Sequence, residues 1–152
     1  MYDIVFISYH EPNAEENFNN LFERFNKVTL FGDRIKRVKN VEGIHNAHVE
    51  AAKIVNTSYF FVVDGDAKIV DDFNFNFVTN EEDVVHVYRS MNPINDLIYG
   101  YGGVKLFPTL LSRKMDTSTS DMTTSISKKF RALPQISNIT EFNTDPFSTW
   151  KS

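Results

Sequence analysis

The chain has 152 residues, of which 41% are apolar and 24% are charged, and its formal net charge is −4. These values are typical of one globular domain and exclude a disordered chain. The absence of cysteine rules out disulfides and thiolate chemistry, and the acidic balance leaves no electrostatic footprint for non-specific nucleic-acid binding. No apolar run approaches the ~18 residues of a membrane span, and the first residues lack a secretory signal pattern. We therefore expect a cytoplasmic protein without a membrane partner.

The first half of the chain alternates between strand and helix signals. Ile4 to Ser8 is an apolar run that predicts a strand buried on both faces. Asn13 followed by Glu16 has the spacing of a capping box and predicts the start of a helix. Val28 to Phe31 predicts a second strand, and a strand–helix–strand unit of this kind favours parallel pairing. The basic stretch from Arg34 to Lys39 is interpreted as a solvated connection.

The remaining elements complete an alternating α/β pattern. A helix is predicted from Gly43 to Val55, and the strongest strand signal runs from Tyr59 to Val63. Further strands are predicted from Ile69 to Val78 and from Val84 to Tyr88, and a helix from Ser125 to Ala132. This order predicts an α/β domain over residues 1–152, with a mixed, mostly parallel central sheet flanked by helices and ligands at the carboxyl ends of its strands. The last residues look like the opening of a helix, so we expect a chain truncated at its carboxyl terminus.

Asp64-Gly65-Asp66 follows the most strand-like stretch and carries the strongest chemical signal. Two carboxylates one residue apart can share one Mg²⁺ or Mn²⁺ with a diphosphate, because these hard cations prefer oxygen ligands. Gly65 permits a tight turn between them. A bland acidic turn is the alternative for so short a motif. Its placement after a β-α-β-α order favours the metal site, with Asp64 and Asp66 as ligands.

The tip of the first strand, from Ser8 to Pro12, is the second candidate site. In an open α/β sheet a nucleotide commonly binds at such a strand end. Tyr9 can stack on a base, and Glu11 can accept a hydrogen bond from the base or the ribose. The alternative is a simple strand-to-helix turn.

A glycine- and tyrosine-rich segment from Tyr99 to Gly103 is the third candidate site. Glycine weakens a strand interior, so this composition favours a backbone that passes close to a sugar, with tyrosine rings as walls. A plain β-bulge is the competing interpretation. Lys105 can neutralise a phosphate or face water.

The histidines show no metalloprotease or zinc-finger spacing, and we expect structural or exposed roles for them. They are His10, His45, His48 and His86. The serine-rich loop around Asp121 offers a carboxylate that can act as a base, with a flexible loop as the alternative.

The three candidate segments, in this order, resemble the GT-A glycosyltransferases. The stretch from Gly43 through Asn46 to Asp66 is similar to the family-two pattern, and Tyr99–Gly103 is similar to the Trp-Gly-Trp-Gly-Gly segment of galactosyl- and N-acetylgalactosaminyltransferases. The resemblance implies a GT-A-like fold and transfer of a sugar from a nucleotide-diphosphate sugar to an acceptor hydroxyl, with Mn²⁺ or Mg²⁺ as cofactor. It implies these donor-binding residues: Ser8, Tyr9, Glu11, Asn46, Asp64, Tyr101, Gly102, Gly103 and Lys105.

The resemblance covers about residues 2–108 and departs from the family at one important place. The family segment continues with acidic residues, one of which is the catalytic base of inverting enzymes, whereas this chain has Val104 and Lys105. The base therefore comes from elsewhere if the enzyme inverts, and Asp96 and Asp121 are the candidates.

Two segments, Asn92 to Pro108 and Phe142 to Lys151, also resemble glycosyltransferase-like proteins of tailed phages. That resemblance implies a hydroxymethylated pyrimidine in DNA as acceptor, against which the acidic net charge weighs. Two alternatives stay open. A nucleotidyltransferase that makes nucleotide sugars normally has a glycine-rich basic loop where this chain has His10, Glu11 and Pro12, and a non-catalytic module would keep only the fold.

Overall fold

The computed structural model describes residues 1–26, 34–92, 97–99, 102–118 and 122–139. Its strands are β1 (Asp3–Ser8), β2 (Ile35–Lys39), β3 (Tyr59–Asp64), β4 (Lys68–Ile69), β5 (Val84–Met91), β6 (Ile98–Tyr99), β7 (Val104–Pro108) and β8 (Lys129–Ile139). Its helices are α1 (Ala14–Asn26), α2 (Ile44–Ile54), α3 (Thr109–Arg113) and α4 (Met122–Ile126). No helix within these ranges is long and apolar enough to span a membrane.

The strands form one mixed sheet in the order β2-β1-β3-β7-β5-β8-β4, with β6 paired to β5. β1 lies parallel between β2 and β3, and β5 and β8 are also parallel to each other. β7 runs antiparallel to both β3 and β5, so β3 and β5 point the same way. The carboxyl ends of β1, β3 and β5 therefore lie at the same edge of the sheet, where ligands bind in open α/β folds.

Both faces of the sheet are covered, which explains the continuous apolar runs of β1 and β3. On one face Phe6 and Phe61 pack in a cluster with Leu21 of α1. On the other face Val62 packs in a cluster with Ala51 of α2, together with the neighbouring alanines. Small residues on α2 let the helix approach the sheet closely. The α/β architecture predicted from the sequence is confirmed.

Residues 35–39 of the basic stretch form β2 rather than a solvated connection, so that interpretation is wrong. Ile35 and Val38 are buried in the clusters on opposite faces of the sheet, while Lys36 lies 3.5 Å from the Asp3 carboxylate. β2 ends the described strand order, and charged side chains are common on such edge strands. The strand predicted from Val28 to Phe31 lies outside the described residues.

Two predictions for the second half are also wrong in part. Of the stretch predicted from Ile69 to Val78, only Ile69 pairs as a strand, at the end of β4, and Phe73 and Phe75 reach the core from a loop. The helix predicted to start at Ser125 already ends at Ile126, and β8 follows. Pro134 is tolerated in β8 because it falls within a register shift against β5, between the pairs Val87↔Ala132 and Arg89↔Ile136.

Candidate functional site

Three segments that are distant in sequence meet at the edge where β1 and β3 end. We call Asp64, Gly65 and Asp66 the acidic turn. A Cβ atom placed on Gly65 would lie only 2.5 Å from Glu11 Oε2, so the tip of β1 touches this turn. On the other side the Asp64 N–H donates to the Gly103 carbonyl at 2.8 Å. The structure therefore brings together the acidic turn, the β1 tip and the glycine segment, here meaning Gly102 and Gly103.

The acidic turn is held by its backbone, while the Asp64 side chain remains accessible. The Ala67 N–H donates to the Asp64 carbonyl at 3.0 Å, and Asn17 Nδ2 of α1 donates to the Gly65 carbonyl at 3.1 Å. The Asp64 side chain is 41% exposed, and Lys105 Nζ lies 3.9 Å from its Oδ2. Sequence reasoning did not identify Asn17, because nothing local to α1 indicates this contact.

Asp66 is half-buried, and its carboxyl titrates abnormally. Burial, together with the nearby negative charges of Asp64 and Glu11, raises the pKa of Asp66 to about 6. A divalent cation would favour the ionised form by offsetting both effects. The two aspartates supply the oxygen ligands that Mg²⁺ and Mn²⁺ prefer. In the described part of the chain no group of three His, Asp or Glu side chains could hold a metal, so water or the phosphate oxygens of a ligand would complete the coordination of an ion held by the two aspartates.

At the β1 tip the Glu11 carboxylate is fixed by hydrogen bonds, whereas Tyr9 is exposed. The Tyr9 N–H donates to the Glu11 carboxylate, at 3.0 Å from Oε1 and 2.7 Å from Oε2. Tyr9 is 51% exposed, and its ring packs edge-on against His10, with their ring centroids 4.8 Å apart. Tyr9 is thus an exposed aromatic residue next to Glu11, whereas the Glu11 carboxylate is already held by the protein backbone.

Ser8 and Arg37 form a contact that the sequence did not predict. Ser8 is buried, and its Oγ accepts from Arg37 Nη2 at 3.1 Å. The Arg37 guanidinium also donates to Glu15 at 2.6 Å and lies over the Phe18 ring, 4.8 Å from its centroid. Arg37 belongs to the basic stretch, and the available signal was the pair of apolar residues at 35 and 38 that bracket it in β2.

α2 carries a buried, neutral histidine that is affected by the charge of Asp64. Burial lowers the pKa of His48 to about 4, and the charges of Asp64 and Lys105 act on its ring. His48 Nδ1 lies 2.7 Å from the Ile44 carbonyl, which can only accept, so this nitrogen carries the proton. Asn46 is exposed, and its Nδ2 donates to the Glu42 carbonyl at 3.3 Å.

The glycine segment is explained by protein packing. A Cβ atom on Gly102 would lie 2.7 Å from the Tyr88 carbonyl oxygen, and one on Gly103 would lie 2.5 Å from Ala67 Cβ. Neither glycine has a positive φ, so close approach rather than a turn conformation requires them. The space that side chains would fill is occupied by the protein itself. Tyr101 and the candidate bases Asp96 and Asp121 lie outside the described residues.

A separate groove of about 700 Å³ lies on the α1 face of the sheet. It runs between the segment 70–77 and the strands β5 and β8, and Phe73, Tyr88 and Ile136 are among its walls. Neither the acidic turn nor the β1 tip lines it. The converging carboxylates, rather than this concavity, therefore mark the candidate site.

No protein-family model and no curated protein matches this chain. Solved structures do match its fold. The mannosyltransferase PcManGT from Pyrobaculum calidifontis, in complex with GDP-Man and Mn²⁺, has a TM-score of 0.59 and 11% identity, over 99% of this chain and 60% of that chain. A glycosyltransferase involved in the glycosylation of the major capsid of PBCV-1 has a TM-score of 0.52 and 12% identity, over 96% of each chain.

Nucleotidyltransferases share the fold as well. A putative glucose-1-phosphate thymidylyltransferase from Bacillus anthracis has a TM-score of 0.51 and 14% identity, over 89% of this chain and 68% of that chain. Identities this low establish the fold and leave the activity open. The chain therefore has the mixed α/β fold of the GT-A-like nucleotide-sugar transferases, as the sequence predicted.

Proposed function

We propose that this protein is a metal-dependent glycosyltransferase that binds a nucleotide-diphosphate sugar where β1 and β3 end. The observation that carries the proposal is the acidic turn, because Asp64 is accessible and Asp66 is desolvated beside the β1 tip. Desolvated, mutually repelling carboxylates are characteristic of functional sites. The fold shared with a mannosyltransferase that holds GDP-Man and Mn²⁺ supports the same function.

The residues of the site have two proposed roles, metal binding and donor binding. Asp64 and Asp66 would hold the Mn²⁺ or Mg²⁺, which when bound stabilises the negative charge that develops on the leaving diphosphate. Lys105 adds a cation 3.9 Å from Asp64, in a position to contact a phosphate. Tyr9 offers its exposed ring for stacking on the base. The other proposed donor-binding residues are Ser8, Glu11, Asn46, Tyr101, Gly102 and Gly103.

The catalytic base remains a prediction. A base must lie within hydrogen-bond reach of the acceptor hydroxyl. The place of the family base is taken by Val104 and Lys105, so a carboxylate outside this strand is required if the enzyme inverts. We propose Asp96 or Asp121 for this role. Replacing the true base with asparagine should lower kcat about 100-fold or more and leave donor affinity unchanged.

The decisive experiment is a double substitution in the acidic turn. Asp64→Asn/Asp66→Asn removes both negative charges and should abolish Mn²⁺-dependent binding of GDP-mannose or a UDP-sugar, as measured by calorimetry. Asp71→Asn/Asp72→Asn is the matched control, because it makes the same charge change at exposed positions outside the turn. Equal Mn²⁺-dependent affinity in wild type and in the acidic-turn variant would refute the metal site.

A nucleotidyltransferase is the second candidate, favoured by the shared fold of the thymidylyltransferase. The β1 tip argues against it, because His10, Glu11 and Pro12 stand where such an enzyme has a glycine-rich basic loop. A panel of nucleotide sugars with Mn²⁺ separates the possibilities. Transfer or hydrolysis supports the glycosyltransferase, pyrophosphate exchange supports the nucleotidyltransferase, and inertness supports a non-catalytic module.

For the acceptor we propose a hydroxymethylated pyrimidine in DNA. The support is the resemblance of two segments, Asn92 to Pro108 and Phe142 to Lys151, to glycosyltransferase-like proteins of tailed phages. Oligonucleotides with and without 5-hydroxymethylcytosine, incubated with labelled nucleotide sugars, test this proposal. If the enzyme hydrolyses its donor and labels neither oligonucleotide, this acceptor is ruled out.

A further inference from the structure

A line of buried polar groups crosses the sheet behind the acidic turn. Asn138 of β8 and Ser90 of β5 are both buried, and neither lies among the residues proposed to bind the donor. Burial of polar side chains is unfavourable unless they form hydrogen bonds, and a fully bonded network holds a single geometry. The position of this line, next to Gly103, connects it to the acidic turn.

The hydrogen bonds run from β8 to β3 through Gly103. Asn138 Oδ1 accepts from the Gly103 N–H at 2.8 Å, and Asn138 Nδ2 donates to Ser90 Oγ at 3.2 Å. The Gly103 carbonyl in turn accepts from the Asp64 N–H at 2.8 Å. The Asn138 side-chain amide therefore holds Gly103, whose carbonyl accepts the hydrogen bond from the Asp64 N–H.

A β-bulge aims Asn138 at this position. Arg89 pairs with Ile136 and Ser90 pairs with Asn138, so Ser137 is an extra residue in β8. Without this bulge, alternation along the strand would give position 138 a different partner on β5. Bulges near functional sites commonly redirect a side chain in this way.

Tight packing makes the connection rigid. A Cβ atom on Gly103 would lie 2.5 Å from Ala67 Cβ and 3.1 Å from Asn138 Nδ2. Ala67 closes the acidic turn, because its N–H donates to the Asp64 carbonyl. Gly103 is thus enclosed between the turn and the Asn138 amide, and a shift of one must move the other.

We propose that Asn138 is a positioning residue, which fixes the backbone of the acidic turn through Gly103. Its consequence for metal binding rests on the proposed function, whereas its effect on the backbone does not. Asn138 contacts neither aspartate side chain through these bonds and acts through the peptide backbone alone.

The test replaces Asn138 with leucine, which has a similar size and cannot accept from the Gly103 N–H. Hydrogen exchange followed by NMR should show the Gly103 and Asp64 amides exchanging faster by more than the loss of global stability explains. Mn²⁺ affinity, followed by the EPR signal of the free ion, should fall about 10-fold, as is usual when a residue behind a metal ligand is lost.

Tyr59→Phe is the matched control. It removes two hydrogen bonds at the opposite end of β3, where the Tyr59 hydroxyl donates to the Glu81 carbonyl in a partly buried bond and accepts from the Val84 N–H in a buried one. This variant should lose global stability and keep both the relative protection of the two amides and the Mn²⁺ affinity.

The outcomes of the exchange and Mn²⁺-binding measurements test the role of Asn138 and the proposed function separately. If exchange at Gly103 and Asp64 in Asn138→Leu merely follows global stability, as in Tyr59→Phe, the positioning role is wrong. If Asn138→Leu does not fold, Ser90→Ala provides the same comparison, because it removes only one anchor of the amide. If wild type binds no Mn²⁺, the proposed function fails while the exchange comparison still decides the role of Asn138.

Discussion

Gly65→Ala should destabilise the protein because the Glu11 carboxylate occupies the space beside Gly65. The new Cβ would lie 2.5 Å from Glu11 Oε2, 2.8 Å from its Cδ and 3.0 Å from Ser8 Cβ. Gly65 does not have a positive φ, so alanine fits its backbone without strain. The effect is therefore steric, and Glu11 is the main obstacle.

The magnitude of the destabilisation follows from the hydrogen bond that Glu11 must break. To avoid the new methyl group it has to leave the Tyr9 N–H, to which it is bonded at 2.7 Å. Loss of a hydrogen bond to a charged group, reduced by solvent exposure, and overpacking together should lower the free energy of unfolding by about 2 kcal/mol. In a Glu11→Ala background only the Ser8 contact remains, and the same change should cost about 0.5 kcal/mol.

The assay is a double-mutant cycle with urea unfolding at pH 7.5 in the presence of EDTA, which prevents bound metal from shifting stability. Wild type, Gly65→Ala, Glu11→Ala and the double variant should give a coupling energy of about 1.5 kcal/mol. The entropic effect of replacing glycine is the same in both backgrounds and cancels. Additivity within about 0.4 kcal/mol would contradict the contact between the β1 tip and the acidic turn.

Three further predictions concern stability. In EDTA, Asp66→Asn should raise the free energy of unfolding by about 1–2 kcal/mol above pH 6 and have little effect below pH 4. The reason is that the raised pKa of Asp66 makes its ionisation unfavourable in the folded state. A gain that does not depend on pH would contradict this. The pKa of His48 is lowered, so wild-type stability should fall as pH drops from 6.5 towards 4, and His48→Gln should show a shallower fall in urea titrations; equal slopes would argue against it. Tyr59→Phe should lose about 1–3 kcal/mol in chemical denaturation, since it leaves the Val84 N–H without its acceptor; an unchanged midpoint would contradict the buried bonds.

Elements with a strong local pattern could be predicted from the sequence. β1 and β3 are continuous apolar runs, because helices cover both faces of the sheet, and α2 has small residues where it approaches β3. Each signal is contained in a short stretch of chain. The acidic turn was located for the same reason, since it directly follows the strongest strand signal.

Elements whose conformation depends on distant partners were mispredicted. β2 carries three cations in five residues and becomes a strand by pairing with β1. The first part of β8 is largely exposed and lacks an apolar pattern, so only its pairing with β5 makes it a strand. Such pairings cannot be recognised within a short window of sequence, because the partner residues are tens of positions away.

By itself the sequence determined the α/β order, the buried strands and the position of two aspartates at the end of β3. Only the tertiary structure decided that Glu11 lies against Gly65, that packing accounts for Gly102 and Gly103, and that Asn138 reaches Gly103. The physical reason is the separation along the sequence over which each effect acts. Apolar periodicity acts between residues close in sequence, whereas close packing and buried hydrogen bonds join segments that become neighbours only when the sheet assembles.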